Sequence, residues 1–462
     1  MKSRMKSRDA ESYEDTGYGE GSRYAAHLDR GWSLLERGDL EPARTAAEHA
    51  AQSRPEDPDA AMLLGAIALA EGDPAESLRA YERAIELDSD YLEAYAAAAQ
   101  VCLLDLDEPR RALAFCEDAL TLDELGPFEA LDLGLLAVDC ELSADLLAQA
   151  RTRLTTMPEG RVLDAALDLV GTDDEGDDTS LEIDLGTDRG AALAFLRTDF
   201  EGEPLDDEER TERASRVLGL SLRMARLALD AEETGLAFDL ARRAAERFSM
   251  EPDAWHLLSE AAHRAGDPVA GNAAGLQTLE LDLSLGLPEW VPPPAIVSRR
   301  VLRTLAQSGD PELVALAEAD PAPAVVVREA PPPELVLEGV DPRLPALSLA
   351  TRVGDDTPMR LTGVAVYSGN IARYAGDAER FETELKWSVL DELSAFLGLS
   401  DERRDKLGLP PLPAAMRPPE PLPVEDDDAA RRPRRRTQAK KKAKTASTKK
   451  TAKSKAKAKP KN

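Results

Sequence analysis

Gly31 and Gly38 recur thirty-four residues later as Gly65 and Gly72. Neighbouring positions travel with them. Ala43, Ala47 and Ala50 become Ser77, Tyr81 and Ala84, and then, one residue late, Ala112, Cys116 and Ala119. A period of this length with small residues at fixed places describes helical hairpins. Each is too small to bury its own apolar face and buries it on the next. The pairs Gly38-Asp39 and Gly72-Asp73 fall at the turn inside each hairpin, where glycine accepts a positive φ. Pro55 closes the first unit. Aromatic residues make up only 4% of the chain, so the helices must pack through Ala, Leu and Val.

These residues resemble the tetratricopeptide repeat family, closely over 24–91, well over 92–125 and faintly beyond. Residues 1–22 are polar and are expected to be disordered, and the repeats run over 23–125. A helical extension follows over 126–170, where the repeat signature is lost. GTDDEGDDTSLEIDLGTD, 171–188, reads as an acidic loop. Helical periodicity resumes over 189–286 as a second, degenerate repeat block with Trp255 and a Gly266-Asp267 turn. The resemblance implies that the first helix of each hairpin lines a groove, at Leu28, Trp32, Met62, Leu69 and Leu103 by register. These positions are apolar, so the Lys and Asn clamp that captures acidic tails in this family is not expected. Such a groove suits an amphipathic helix or an extended apolar peptide. Alternatively, the chain's own later helices cover it.

LPEWVPPPAI, 287–296, is a proline-rich boundary. Beyond it the β-branched runs AVVVRE (324–329), LPALSLATRV (344–353) and MRLTGVAVYSG (359–369) predict strands. Helices are expected over 297–308, 311–318 and 378–397. In the last of these Phe381, Leu385, Val389, Leu393 and Phe396-Leu397 form an apolar stripe. Gly398 is placed to end that helix and Ser400 to start the next. The stretch VAVYSGNIARYAGD, the helix ETELKWSVLDELSAFLGL and the ending SDERRDKLGL occur in this order. On them, region 295–410 resembles the small bacterial zincin-like metallopeptidases with an HExxHxxGxxD signature.

That resemblance implies site positions. Asp391 stands at the first ligand histidine, Glu392 at the general base and Ala395 at the second ligand histidine. Gly398 keeps the turn glycine and Asp401 the third ligand. Catalytic zinc takes three protein ligands, usually with imidazole among them, and an open position for water. The four histidines, His27, His49, His256 and His263, all lie outside 295–410, and so do Cys102, Cys116 and Cys140. Carboxylates alone suit Mg²⁺ or Ca²⁺. No metal and no cofactor are therefore expected, and the domain reads as a pseudoenzyme; an active peptidase on an atypical carboxylate site is the alternative. TGVAVYSG, 362–369, is either an edge strand open to an extended peptide or a covered one.

Charge divides the chain. Its net charge is −31, yet 431–462 holds 16 basic residues and no acid, leaving −47 for the rest. A proline-rich linker and this basic tail make up 411–462. The tail resembles the Lys/Ala/Pro tails of linker histones, and without apolar residues larger than alanine it is expected to be disordered. Arg434, Arg435, Arg436, Lys440, Lys441 and Lys442 are its candidate contacts to DNA or another polyanion, through counterion release. A solubilising tail, or one that folds back on the acidic body, is the other reading. The longest apolar run, AAMLLGAIALA at 60–70, is too short for a bilayer, so no membrane partner is expected. Three cysteines without CxxC spacing fit a cytoplasmic protein. The expectation is a mainly α chain: a helical-hairpin solenoid, a small α+β zincin-like domain and a disordered C-terminal tail. Its expected role is a non-catalytic scaffold for a protein or peptide partner. A nucleic-acid-associated protein tethered by its tail is a further alternative.

Overall fold

A computed structural model describes residues 18–123, 125–170, 186–199, 202–352 and 359–412. Those through Pro410 form one compact unit. The chain opens with three antiparallel hairpins. They are α1 (Tyr18–Glu36) with α2 (Leu40–Ser53), α3 (Pro58–Ala70) with α4 (Pro74–Leu87), and α5 (Leu92–Leu104) with α6 (Pro109–Ala119). Helix α1 begins at Tyr18, inside the stretch expected to be disordered.

The small residues of the repeat do what close packing requires. A Cβ on Gly65 would lie 2.4 Å from the Tyr81 ring, so the ring of α4 rests directly on the backbone of α3. Ala43, Ala47, Ala84, Ala112 and Cys116 are fully buried between helices. Gly38 and Gly72 take φ of +77° and +82° at the hairpin turns. At the second turn the Asp73 carboxylate accepts from the Glu76 N–H at 2.9 Å and caps α4.

Next come α7 (Pro127–Ser143), α8 (Leu147–Thr156), α9 (Glu159–Leu169), α10 (Asp188–Arg197), α11 (Asp207–Asp230) and α12 (Thr234–Arg247). The last helical hairpin is α13 (Pro252–Arg264) with α14 (Pro268–Ser284). Helix α11 starts in a reciprocal capping box between Asp206 and Glu209. One hydrophobic core runs from Phe128 on α7 to Ala274 on α14. The helical extension and the second block therefore share a core. The acidic residues 171–185 lie outside the described residues.

The remaining elements are α15 (Pro294–Gln307), α16 (Pro311–Ala317), β1 (Ala324–Arg328), α17 (Pro333–Leu337), β2 (Ala346–Thr351), β3 (Arg360–Tyr367), α18 (Ser368–Ala375), α19 (Phe381–Phe396) and α20 (Asp401–Lys406). The sheet order is β1-β3-β2. Strand β1 pairs parallel with β3, with Val325 opposite Val364. Strand β2 pairs antiparallel, with Leu347 opposite Ala365. Val297, Val301 and Leu305 of α15 and Phe381, Leu385, Val389 and Leu393 of α19 pack with Val364 and Val366 in a second core.

Charged residues join this core to the last helical hairpin. The Arg343 guanidinium donates to both oxygens of Asp282 on α14, at 2.8 and 3.0 Å, and to Asp253 on α13 at 2.6 Å. Arg373 of α18 reaches the same Asp282 at 2.8 Å. His256 of α13 lies 3.0 Å from Asp341. Asn272 of α14 donates to the Leu337 carbonyl of α17 at 2.7 Å.

A second joint holds the end of the unit. Asp310 caps α16 through the Glu312 N–H and accepts two hydrogen bonds from Arg403 of α20, at 2.9 and 2.7 Å. These bonds hold its carboxyl below the ordinary value for aspartate, against the opposing effect of burial. The stability so gained is complete above the unfolded value of about 3.9 and is lost as pH falls through the lower folded value. Asp310→Asn should therefore be clearly less stable than the native chain at pH 6. In urea titrations the gap should close as the pH drops below about 4.

Candidate functional site

The first helices of the hairpins lie side by side, α1 on α3 and α5 on α7. With the one-residue insertion before α6, Gly134 of α7 falls at the place of Gly31 and Gly65. Helix α7 is thus the first helix of a fourth hairpin, with α8 its second. By this register one line of side chains runs across all four helices. Leu28, Trp32 and Leu35 stand on α1, Met62, Ala66 and Leu69 on α3, Ala96, Gln100 and Leu103 on α5, and Leu131, Leu135 and Val138 on α7.

Along this line the environment changes. Leu28 is buried in the core that α1 shares with α3, while Trp32 is 39% exposed. Leu35, Met62, Leu69 and Leu103 are half-buried. Beside Leu103, Leu104 is 76% exposed. On α7 the line is closed: Leu131, Leu135 and Val138 are buried in the core that includes Val162 and Leu163 of α9 and Val217, Leu220 and Met224 of α11. Arg223 of α11 adds hydrogen bonds to Asp132 at 2.6 Å and Asp139 at 3.2 Å, and Arg216 pairs with Glu129 at 3.6 Å. Later helices thus cover the line on α7, while beyond Leu28 on α1, and on α3 and α5, it stays half-buried to exposed. Neither α3 nor α5 carries a basic residue.

Helix α19 carries the other set of candidates. Its four leading apolar residues, Phe381, Leu385, Val389 and Leu393, are buried as the stripe requires. Gly398 takes φ +64°, and the N–H groups of Gly398 and Leu399 donate to the Ala395 and Ser394 carbonyls at 3.1 and 2.9 Å. This closes the helix in a Schellman turn. Ser400 sits at the N-cap of α20 without a side-chain capping bond.

The motif carboxylates are engaged. Asp391 accepts a charged hydrogen bond from Arg404, whose side chain is only 1% exposed. Arg404 also donates to the Ser394 hydroxyl and, at 2.9 Å, to the Pro410 carbonyl. Glu392 accepts the Ser348 N–H at 2.7 Å. Ser348 lies on β2, and its N–H points away from β3, so Glu392 caps part of the sheet's outer edge. Ala395 is half-buried and offers no donor. Asp401 opens α20. Among the described residues, no group of three His, Cys, Asp or Glu side chains is placed to hold a metal.

Of the two readings raised for TGVAVYSG, an open edge strand or a covered one, the structure shows the covered strand. Residues 362–367 belong to β3, the central strand, with β1 on one side and β2 on the other. Both rows of backbone groups are paired, because the parallel partner β1 arrives from an earlier part of the chain. Residues 368 and 369 already belong to α18.

Cys102, Cys116 and Cys140 are buried in one cluster on α5, α6 and α7. Burial pushes the Cys102 thiol up to about 11, the opposite of a reactive thiolate. Residues 434–436 and 440–442 lie outside the described residues. Sequence reasoning missed Arg404, Arg343 and the α7–α11 contact. The Arg403-Arg404 pair was the available signal, since two adjacent residues on a short helix point to different sides.

Residues 28–91 match the family model of the tetratricopeptide repeat. This segment carries tetratricopeptide repeats. Among solved structures the chain is similar to the pilF protein of Pseudomonas aeruginosa, at 17% identity over 57% of this chain and 93% of that one, with a TM-score of 0.37. It is similar to PilW, a type IV pilus biogenesis factor, at 14% identity over 56% and 92%, with a TM-score of 0.36. A third is YrrB, described as a tetratricopeptide repeat protein with an unusual peptide-binding site. Its identity is 12% over 51% and 92%, with a TM-score of 0.32. No curated protein matches.

The engaged carboxylates give a double-mutant test. Asp391→Ala leaves the buried Arg404 guanidinium without its counter-charge and should cost about 2 kcal/mol in urea unfolding. Adding Arg404→Met removes the stranded charge and should recover part of that loss.

Proposed function

We propose that this chain is a non-catalytic protein-interaction scaffold that holds a protein partner along α1, α3 and α5. The observation that carries this reading is the half-exposed line of Trp32, Leu35, Met62, Leu69 and Leu103, set beside the same line on α7 that α9 and α11 cover. A surface of this kind is closed at one end by helices and open at the other. Apolar side chains in such a line gain from a partner that removes them from water, by roughly 25 cal/mol per Å² of area.

Region 295–410 is read as a degenerate relative of the zincin-like metallopeptidases. The support is the use of its two adjacent carboxylates. A metal would have to draw Asp391 from Arg404 and Glu392 from the Ser348 N–H, and it would find no imidazole in the region. The three buried thiols fit a reducing compartment such as the cytoplasm. Among the described residues no helix is long and apolar enough to cross a membrane.

A photo-crosslinking residue placed at Leu69 or Leu103 tests the interaction face in cells. It should capture one discrete protein, and the same residue at the exposed Arg79 on α4 should not. Equal capture from both positions, or none from either, would count against the face. The segment 431–462, with its 16 basic residues and no acid, is read as a tether to DNA or another polyanion. A chain ending at residue 430 should then lose retention on DNA at physiological salt; retention without the tail would end this part of the proposal.

A further inference from the structure

Helix α1 repeats the surface with which α7 holds α11. Leu28-Asp29-Arg30-Gly31-Trp32-Ser33-Leu34-Leu35-Glu36 aligns without a gap on Leu131-Asp132-Leu133-Gly134-Leu135-Leu136-Ala137-Val138-Asp139. The shared pattern has a leucine followed by an acid, then glycine and a large apolar residue, then an apolar residue followed by a second acid. The intervening helices lack it. Leu63 and Ala70 stand at the two acid positions on α3, and Ala97 and Leu104 on α5.

On α7 the pattern is occupied. Leu131, Leu135 and Val138 are buried with α9 and α11, and Asp132 and Asp139, two turns apart, share the Arg223 guanidinium. On α1 the corresponding Trp32, Asp29 and Glu36 are exposed. Neither acid pairs with a basic side chain among the described residues.

We propose that α1 docks a partner helix of the α11 kind. This is an amphipathic helix whose apolar stripe covers Trp32 and Leu35 and whose arginine bridges Asp29 and Glu36. The proposal rests on the reading of α1, α3 and α5 as the partner face and names the partner's chemistry. The established α7–α11 contact on the same row of helices supplies the argument. Two carboxylates two turns apart on one helix suit the rigid fork of a guanidinium, which offers donors in two directions; an ammonium offers a single point charge. Tryptophan is the large, stiff anchor that dominates such contacts. Helices α3 and α5 add apolar surface and no cation to oppose the arginine.

The probe is a fluorescein-labelled peptide with the sequence of residues 207–230, titrated with the full-length chain and followed by anisotropy. It should bind. Arg223→Gln in the peptide should weaken binding by about tenfold or more, and so should Asp29→Asn with Glu36→Gln in the protein. Combining the two changes should add little further loss, because both remove one bridge. Trp32→Ala, at an exposed position, should also weaken binding with an unchanged circular dichroism spectrum. No binding, or binding indifferent to all the α1 substitutions, overturns the proposal. Binding that arises only after residues 1–17 are deleted makes that segment the occupant and overturns it. A dimer that Trp32→Ala dissociates does so in favour of a second copy. If the peptide fails while Leu69 and Leu103 still crosslink a protein, the interaction face stands and only this partner class falls.

Discussion

The ion pair between Arg343 and Asp282 is the interaction on which the larger architecture turns. Both side chains are nearly out of solvent, at 9% and 7% exposure. A buried charge is tolerated only where its hydrogen bonds are met, and removing one partner of such a pair costs about 3–5 kcal/mol. Here the demands are met from several elements at once. Asp282 comes from α14 and takes Arg343 and Arg373, and Arg343 also takes Asp253 of α13. The fork geometry of the guanidinium fixes direction as well as distance. Asn272 and His256 add bonds on the same side. Two hydrophobic cores that are separate in sequence are held as one unit by this polar seam.

A similar economy governs the helices. A stack of hairpins has two ends, and each end leaves a face without a neighbour. After the α7–α8 hairpin the chain brings α9 and α11 across the line on α7 that stays open on α1, α3 and α5. That line on α7 is bulkier, with Leu131, Leu135 and Val138 where α5 has Ala96, Gln100 and Leu103. On α5 Ala96 is half-buried and Gln100 exposed, whereas the three large apolar residues of α7 lie under α9 and α11.

The repeat was legible because it is local and periodic: Gly31, Gly65 and the alanines of each second helix announce their contacts by spacing alone. The three β-branched runs announced β1, β2 and β3 for the same reason. Strand order was not legible, since nothing within TGVAVYSG records that β1 and β2 both pair with it. Helix α7 was legible as a helix but its repeat register was not, because one inserted residue moves Gly134 out of phase and its partner α8 lacks the alanine pattern. The seam at Arg343 joins residues 61 and 90 positions apart, which no short-range pattern can encode.

The carboxylates of α19 show most clearly how sequence and structure divide the work. Sequence alone shows what Asp391 and Ala395 do not supply, an imidazole pair one turn apart. It cannot show what holds the negative charge where no metal does. In the fold Asp391 is held by Arg404, buried beneath the helix, and Glu392 by the Ser348 N–H at the edge of β2. A guanidinium at 1% exposure needs a carboxylate as much as the carboxylate needs it. Asp391 is therefore constrained by the buried charge of Arg404, and Glu392 by the need to satisfy an outward-facing backbone group. Asp391 and Glu392, the adjacent acids at the motif positions, each have a present structural reason to be acidic.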